Sequence, residues 1–335
     1  MKYSFTRLLE TLIAGKGGGG LVLATIVEAE GSTPQVVGAS AIFSKAGLEA
    51  GTVGGGLLEA KVEAEAAKAL ADGKARLMSV RLDADPTDAE GAICGGAARI
   101  LVDPGVERDR RVFEAALEGL RKRRAGVLFT GIAPPEGGVV TVERRFVEGE
   151  SGGGQARLTE CAGELRFLEP VRPLPRLIVA GAGHIGRAVA RLGSLLDFSV
   201  TVIDDRAEFA NAENVPEADE IVVGGIGGEV GKIEDSPDNY FVIVTRGHRK
   251  DAEALRAAIG REAAYVGMIG SRNKIGVMRG EFVQNGWATE EQWEKIRAPI
   301  GLDIGSRTVE EIAVSIAAEL VSVRSGRGDA GRGRA

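Results

Sequence analysis

Residues 176–192 read RLIVAGAGHIGRAVARL: an apolar run, then Gly181, Gly183 and Gly186 spaced as GxGxxG, then a helical pattern. Such a turn lets backbone approach a pyrophosphate, and the helix after it aims free N–H groups and the positive end of its dipole at the same anion. The next apolar run, SVTVID, ends in Asp204, where a ribose-binding carboxylate stands in dinucleotide folds. Further β-branched runs, EIVVGG, YFVIVTRG and AAYVGMIGS, alternate with helical stretches. This alternation predicts a doubly wound, Rossmann-like parallel sheet over residues 176–324, with strand order 3-2-1-4-5 and a C-terminal helix. Residues 325–335, SGRGDAGRGRA, carry no apolar anchor and are expected to be a disordered tail.

The chain has 335 residues, more than one hydrophobic core usually serves, so the sheet accounts for one domain of two. Residues 1–168 read as a mixed α+β domain, making the fold class α/β overall. Helices are expected at 4–14, 57–71 and 109–123, with strands at 21–30, 38–45, 75–82, 97–102, 126–132 and 139–146. EPVRPLPR holds three prolines within six residues, so 169–175 read as a Pro-rich linker.

Composition excludes several function classes. The net charge is -6, and the compact basic run RKRR (121–124) suits a helix end, so nucleic acid is not expected as partner. Two cysteines far apart give neither a disulfide framework nor a zinc spacing, and the N-terminus has no apolar run of membrane-spanning or signal-peptide type. A cytoplasmic protein without a membrane span is expected.

The candidate chemistry is concentrated in glycine-rich segments, 49 glycines being roughly twice the usual share of about 7%. Gly181, Gly183, His184 and Gly186 form the phosphate loop, with Asp204 as ribose acceptor; Arg206 leaves the choice between NAD-like and 2′-phosphorylated ligands open. His248, past a strand end, is the candidate acid–base residue, with a surface histidine as the alternative. Ser271, Arg272 and Lys274 begin a helix where an anion could sit. Gly54, Gly55 and Gly56 open directly into a helix whose first turn carries Glu59, an acid that also suits the helix dipole. Cys94 precedes Gly95 and Gly96, a setting that suits a sulfur carrier or soft-metal ligand; a buried small apolar residue is the alternative. Cys161 has no such setting and reads as structural.

In order along the chain, GSTPQVVGASAIF, GTVGGGLLE, GAICGGAARILVDP, VAGAGHIG, VIDDR, YVGMIGSRNK and PIGLDIGSRTVEEIAVSIAAEL resemble the motifs of the XdhC/CoxI family, from about residue 20 to 324. The resemblance implies an accessory chaperone of molybdenum hydroxylases such as xanthine dehydrogenase or carbon monoxide dehydrogenase. Such a protein binds the molybdenum cofactor, assists its sulfuration with a cysteine desulfurase and inserts it into the client apoenzyme. The family's GSSPR-like turn matches Gly31 to Pro34, with Gln35 replacing its arginine, and Leu57 stands where a cysteine often follows the three glycines. Cys94 is thereby the thiol left for a molybdenum contact. Two alternatives stay open: an NAD-dependent oxidoreductase, against which the scarcity of acid–base residues counts, and a nucleotide-sensing binding module. A homodimer is compatible with each.

Overall fold

A computed structural model describes residues 5–15, 20–81, 96–133, 139–150, 154–161 and 163–326. Two compact units divide the chain, Tyr3–Pro173 and one running from Leu174 onward.

The N-terminal unit runs α1 (Phe5–Ala14), β1 (Val22–Glu30), β2 (Ser40–Ser44), β3 (Gly47–Gly51), α2 (Gly56–Asp72), β4 (Ala75–Arg81), β5 (Ala97–Asp103), α3 (Arg110–Arg121), β6 (Gly126–Ile132), β7 (Val139–Val140), β8 (Val142–Glu148), β9 (Arg157–Cys161) and β10 (Glu164–Val171). The strands form two sheets, β3-β2-β1-β5-β4-β7 and β8-β6-β10-β9. Strand β1 is buried from Val22 to Val27, with Thr25 the polar exception in an apolar run, because both of its faces are covered. Val22, Ala24 and Ile26 meet the α2 stripe of Leu58, Val62, Ala66 and Ala69, while Leu23 packs with Leu9 of α1 and Phe113 of α3.

Strands β3, β9 and β10 are not among those expected from the sequence, and two expected stretches differ from what is observed. The strand expected over 139–146 is broken at Thr141: Val139 and Val140 pair with β4, and Val142 onward pairs with β6, so the chain crosses from one sheet to the other there. The expected linker at 169–175 begins as strand, because Glu169, Pro170 and Val171 finish β10 opposite β6. Strand β9 reaches only as far as Leu168, so Pro170 has a strand neighbour on one side alone, the edge setting that tolerates proline.

The C-terminal unit runs β11 (Arg176–Ala180), α4 (His184–Leu195), β12 (Ser199–Asp204), β13 (Glu220–Val223), α5 (Ile226–Lys232), β14 (Asn239–Ile243), α6 (His248–Ala258), β15 (Tyr265–Met268), α7 (Arg272–Gln284), α8 (Glu290–Glu294) and α9 (Val309–Arg324). Its five strands are parallel in the order β13-β12-β11-β14-β15, the expected 3-2-1-4-5. Leu177, Val179, Val200 and Val242 pack on one face with Val189 of α4 and Ile316 of α9. Ile178, Ile203, Phe241 and Ile243 pack on the other with Leu255 of α6 and Phe282 of α7. Burial on both faces explains why β11, β12 and β14 are mostly apolar rather than alternating. The helix starts beside β11 and β14 therefore diverge to opposite faces, which opens a crevice at the carboxyl ends of these strands. Among the described residues no helix is long and apolar enough to cross a membrane.

Candidate functional site

In the N-terminal unit the glycine segments meet through backbone. Gly54, Gly55 and Gly56 have φ of 122, 69 and 56°, the left-handed side that glycine alone adopts without strain. A Cβ on Gly54 would lie 2.7 Å from the Cβ of Pro34, so this loop backs onto the Gly31–Pro34 turn. A Cβ on Gly96 would lie 2.7 Å from the carbonyl oxygen of Glu30 and would collide with that of Ser32, which sets the start of β5 against the same turn. By contrast, nothing lies within 4 Å of where the Cβ atoms of Gly55 and Gly56 would be, so the backbone entering α2 borders open space. Cys94 and Gly95 lie outside the described residues.

Glu59 ties this loop down. Its Oε2 accepts from the Thr52 hydroxyl at 2.8 Å and from the Val53 N–H at 3.3 Å, and Thr52 Oγ1 accepts from the Gly54 N–H at 3.0 Å. The acid expected to complement the helix dipole thus fixes the shape of the glycine turn, and Thr52, which sequence reasoning missed, is its partner. Cys161, read as structural, ends β9 on the surface and buries no thiol.

In the C-terminal unit, Gly183 caps α4 and His184 is its first residue. Gly181 has φ +114°, and a Cβ there would sit 2.6 Å from the Val244 carbonyl oxygen. At Gly186 a Cβ would collide with the Gly181 carbonyl oxygen, so the last glycine lets α4 dock on the loop. His184 lines a groove of about 380 Å³ together with Arg187, Arg191, Asn214, Glu217 and Glu310.

Asp204 ends β12 at 1% exposure and its carboxylate is fully engaged. Oδ2 accepts from the Ala182 N–H at 2.8 Å and from Arg206 Nη2 at 2.9 Å; Oδ1 accepts from Arg206 Nε at 2.8 Å and from the Arg206 N–H at 3.1 Å. Burial pushes this carboxyl up, but the bonds from Arg206 and Ala182 outweigh it and hold it below the ordinary range. The residue expected to read a ribose braces the glycine loop through Ala182. The Arg206 guanidinium also lies over the Phe209 ring, 3.8 Å from its centroid.

His248 opens α6, and its Nε2 is 2.9 Å from Glu281 Oε2 of α7. Ser271 caps α7 by accepting from the Lys274 N–H, and Arg272 is the first residue of that helix. Lys274 Nζ pairs with Asp251, which is fully buried and also accepts from the Thr245 hydroxyl at 2.6 Å. Asp251 and Thr245 escaped sequence reasoning; an acid in a first helical turn ordinarily signals nothing beyond the dipole. Thr245 follows β14, and its Cα lies 3.0 Å from where a Gly181 Cβ would be, so the network adjoins the glycine loop. Among the described residues there is no group of three or more metal-ligating side chains.

Comparison with known proteins agrees with this division. Residues 15–81 match the model of the XdhC and CoxI family, and residues 177–320 match that of the XdhC Rossmann domain. The chain is 28% identical over 304 residues to Escherichia coli "Uncharacterized protein YqeB", covering 90% of this chain and 43% of that protein, so it spans less than half the length of that relative. It is 24% identical to the E. coli "Molybdenum cofactor insertion chaperone PaoD", over 94% of this chain and 86% of the relative. A crystal structure of a Bacillus halodurans protein described as a xanthine dehydrogenase superposes with a TM-score of 0.81 at 27% identity, covering 98% of this chain and 97% of that one.

Proposed function

We propose, since the chain belongs to the XdhC and CoxI family, that it is an accessory chaperone that binds the molybdenum cofactor and delivers it to a molybdenum hydroxylase of the xanthine dehydrogenase or carbon monoxide dehydrogenase type. The observation that carries this reading is the meeting of the Gly31–Pro34 turn, the Gly54–Gly56 loop and Gly96 around open backbone in the N-terminal unit. The cofactor is a phosphorylated pterin that holds molybdenum through a dithiolene. It is anionic and rich in hydrogen-bonding edges, and a side-chain-free turn leading into a helix N-terminus fits such a group. When bound, it supplies the redox centre of the client.

The residues of this chain hold and orient. The N–H groups around Gly55 and Gly56 would hold an anionic edge, Glu59 and Thr52 keep that turn in shape, and the Cys94 thiol is assigned to sulfur or molybdenum, with a cysteine desulfurase as the partner in sulfuration. In the C-terminal crevice, Gly181, Gly183, Gly186, Ser271 and Arg272 would hold a second phosphate, of the cofactor or of a nucleotide. A cytoplasmic site of action and a homodimer are part of the same reading.

Coexpression with a molybdenum hydroxylase in a host that makes the cofactor tests this role. Client activity and molybdenum content are expected to be high with the unaltered chain and to fall with Cys94→Ala toward the values of cells lacking it. Equal client maturation with and without the chain would overturn the chaperone role; loss with the chain removed but none with Cys94→Ala would remove Cys94 from it.

A further inference from the structure

We propose that the C-terminal crevice takes a phosphomonoester where an ordinary dinucleotide site takes a ribose diol, and that Arg206 sets this preference. The proposal rests on the reading of this crevice as a holder of phosphorylated ligands and names the ligand class.

The argument begins with lone pairs. A carboxylate offers about four acceptor positions, two on each oxygen, and a ribose-reading acid must keep one or two of them for the 2′- and 3′-hydroxyls. Asp204 spends all four on Ala182, the Arg206 backbone and the Arg206 guanidinium. The next acid, Asp205, is not bare either: its Oδ2 is 3.3 Å from Lys250 Nζ. A diol reaching Asp204 would therefore have to displace one of the bonds this carboxylate already accepts, and its hydroxyls cannot replace a guanidinium; Asp205 keeps acceptor positions on Oδ1, so the preference rests on Asp204 and Arg206.

The same geometry leaves donors. Arg206 gives Asp204 its Nε and one Nη2 hydrogen, so the Nη1 pair is not spent on that acid, and the planar group is held in place by the Phe209 face beneath it. Arg187 approaches the same ring at 5.5 Å and donates its Nε to the Ala182 carbonyl at 3.1 Å, placing a second guanidinium beside the glycine loop. Fixed guanidinium groups with N–H donors to spare match phosphate oxygens, which accept several such bonds at once.

NADP⁺ and NAD⁺ differ by a single phosphomonoester on the ribose and are the probes. Titration calorimetry on the full chain is expected to show NADP⁺ binding about 10- to 100-fold more tightly than NAD⁺, the range that one or two charge-assisted bonds supply. Arg206→Ala releases Asp204 and is expected to reverse the order. Preference of the unaltered protein for NAD⁺, equal affinity, or no binding of either would each overturn the proposal, and that comparison needs no variant. Retention of the NADP⁺ preference in Arg206→Ala would remove Arg206 from the role. Failure here and failure of the chaperone role are separable, because a chain that carries molybdenum and pterin yet prefers NAD⁺ loses only this inference.

Discussion

Glu169→Gln is expected to stabilise the N-terminal unit by several kcal/mol at pH 8 while changing it little near pH 4.5. Glu169 sits in β10 opposite Leu128 at 9% exposure. Burial pushes its carboxyl up from 4.5 to about 8, against the pull of the Arg144 guanidinium in the opposite direction. Below pH 4.5 the folded and unfolded chains both hold the proton. Between 4.5 and 8 the unfolded chain releases it and the folded chain keeps it, so stability falls by about 1.4 kcal/mol per pH unit. Above 8 both forms are ionised and the loss is complete, at about 5 kcal/mol. Glutamine carries no proton to lose, so chemical denaturation at pH 5 and pH 8 should show the gap between variant and parent widening with pH. A gap of the same size at both values would show that Glu169 ionises normally in the folded chain.

The second large effect is at Arg144, whose side chain is 2% exposed. Its Nη1 pairs with Asp103 at the end of β5 and with Asp109 just before α3, the latter at 2.7 Å. One guanidinium on β8 thereby joins the second sheet to the last residue of a strand in the first. Removing one partner of a buried ion pair leaves uncompensated charge and costs about 3–5 kcal/mol. Here Arg144→Met leaves two such carboxylates, with the half-exposed Arg108 their remaining cation in this cluster. The loss is expected at the upper end of that range, measured by urea denaturation at pH 7. Adding Asp103→Asn and Asp109→Asn should recover much of it, since the stranded charges are then gone. A single variant within 1 kcal/mol of the parent, or a triple variant less stable than Arg144→Met, would contradict this assignment.

The C-terminal unit was legible in the sequence because its signals are local. Five strand runs, of which β11, β12 and β14 are covered on both faces, and a glycine pattern tied to one turn type leave little choice of topology. The N-terminal unit was harder for a physical reason. Strand β9, RLTEC, exposes most of its residues and carries little apolar pattern, and Thr141, where the chain changes sheets, has no turn residue of its own to mark it. At the sites, sequence named some of the residues but missed Thr52, Thr245 and Asp251, and the structure supplied the partners. Asp204 sits at the expected position, but that Arg206 folds back onto it follows from side-chain geometry, which a spacing rule does not contain. Likewise Glu59 in a first helical turn is an ordinary dipole complement until Thr52 and Val53 are seen to bond to it.

The cofactor itself decides the chaperone role. Protein purified without oxygen from a host that makes the molybdenum cofactor can be assayed for molybdenum by elemental mass spectrometry, with oxidised-pterin fluorescence on the same sample. Molybdenum and pterin in near-equal amounts, approaching one of each per chain, are the expected result. A folded preparation that carries neither would contradict it.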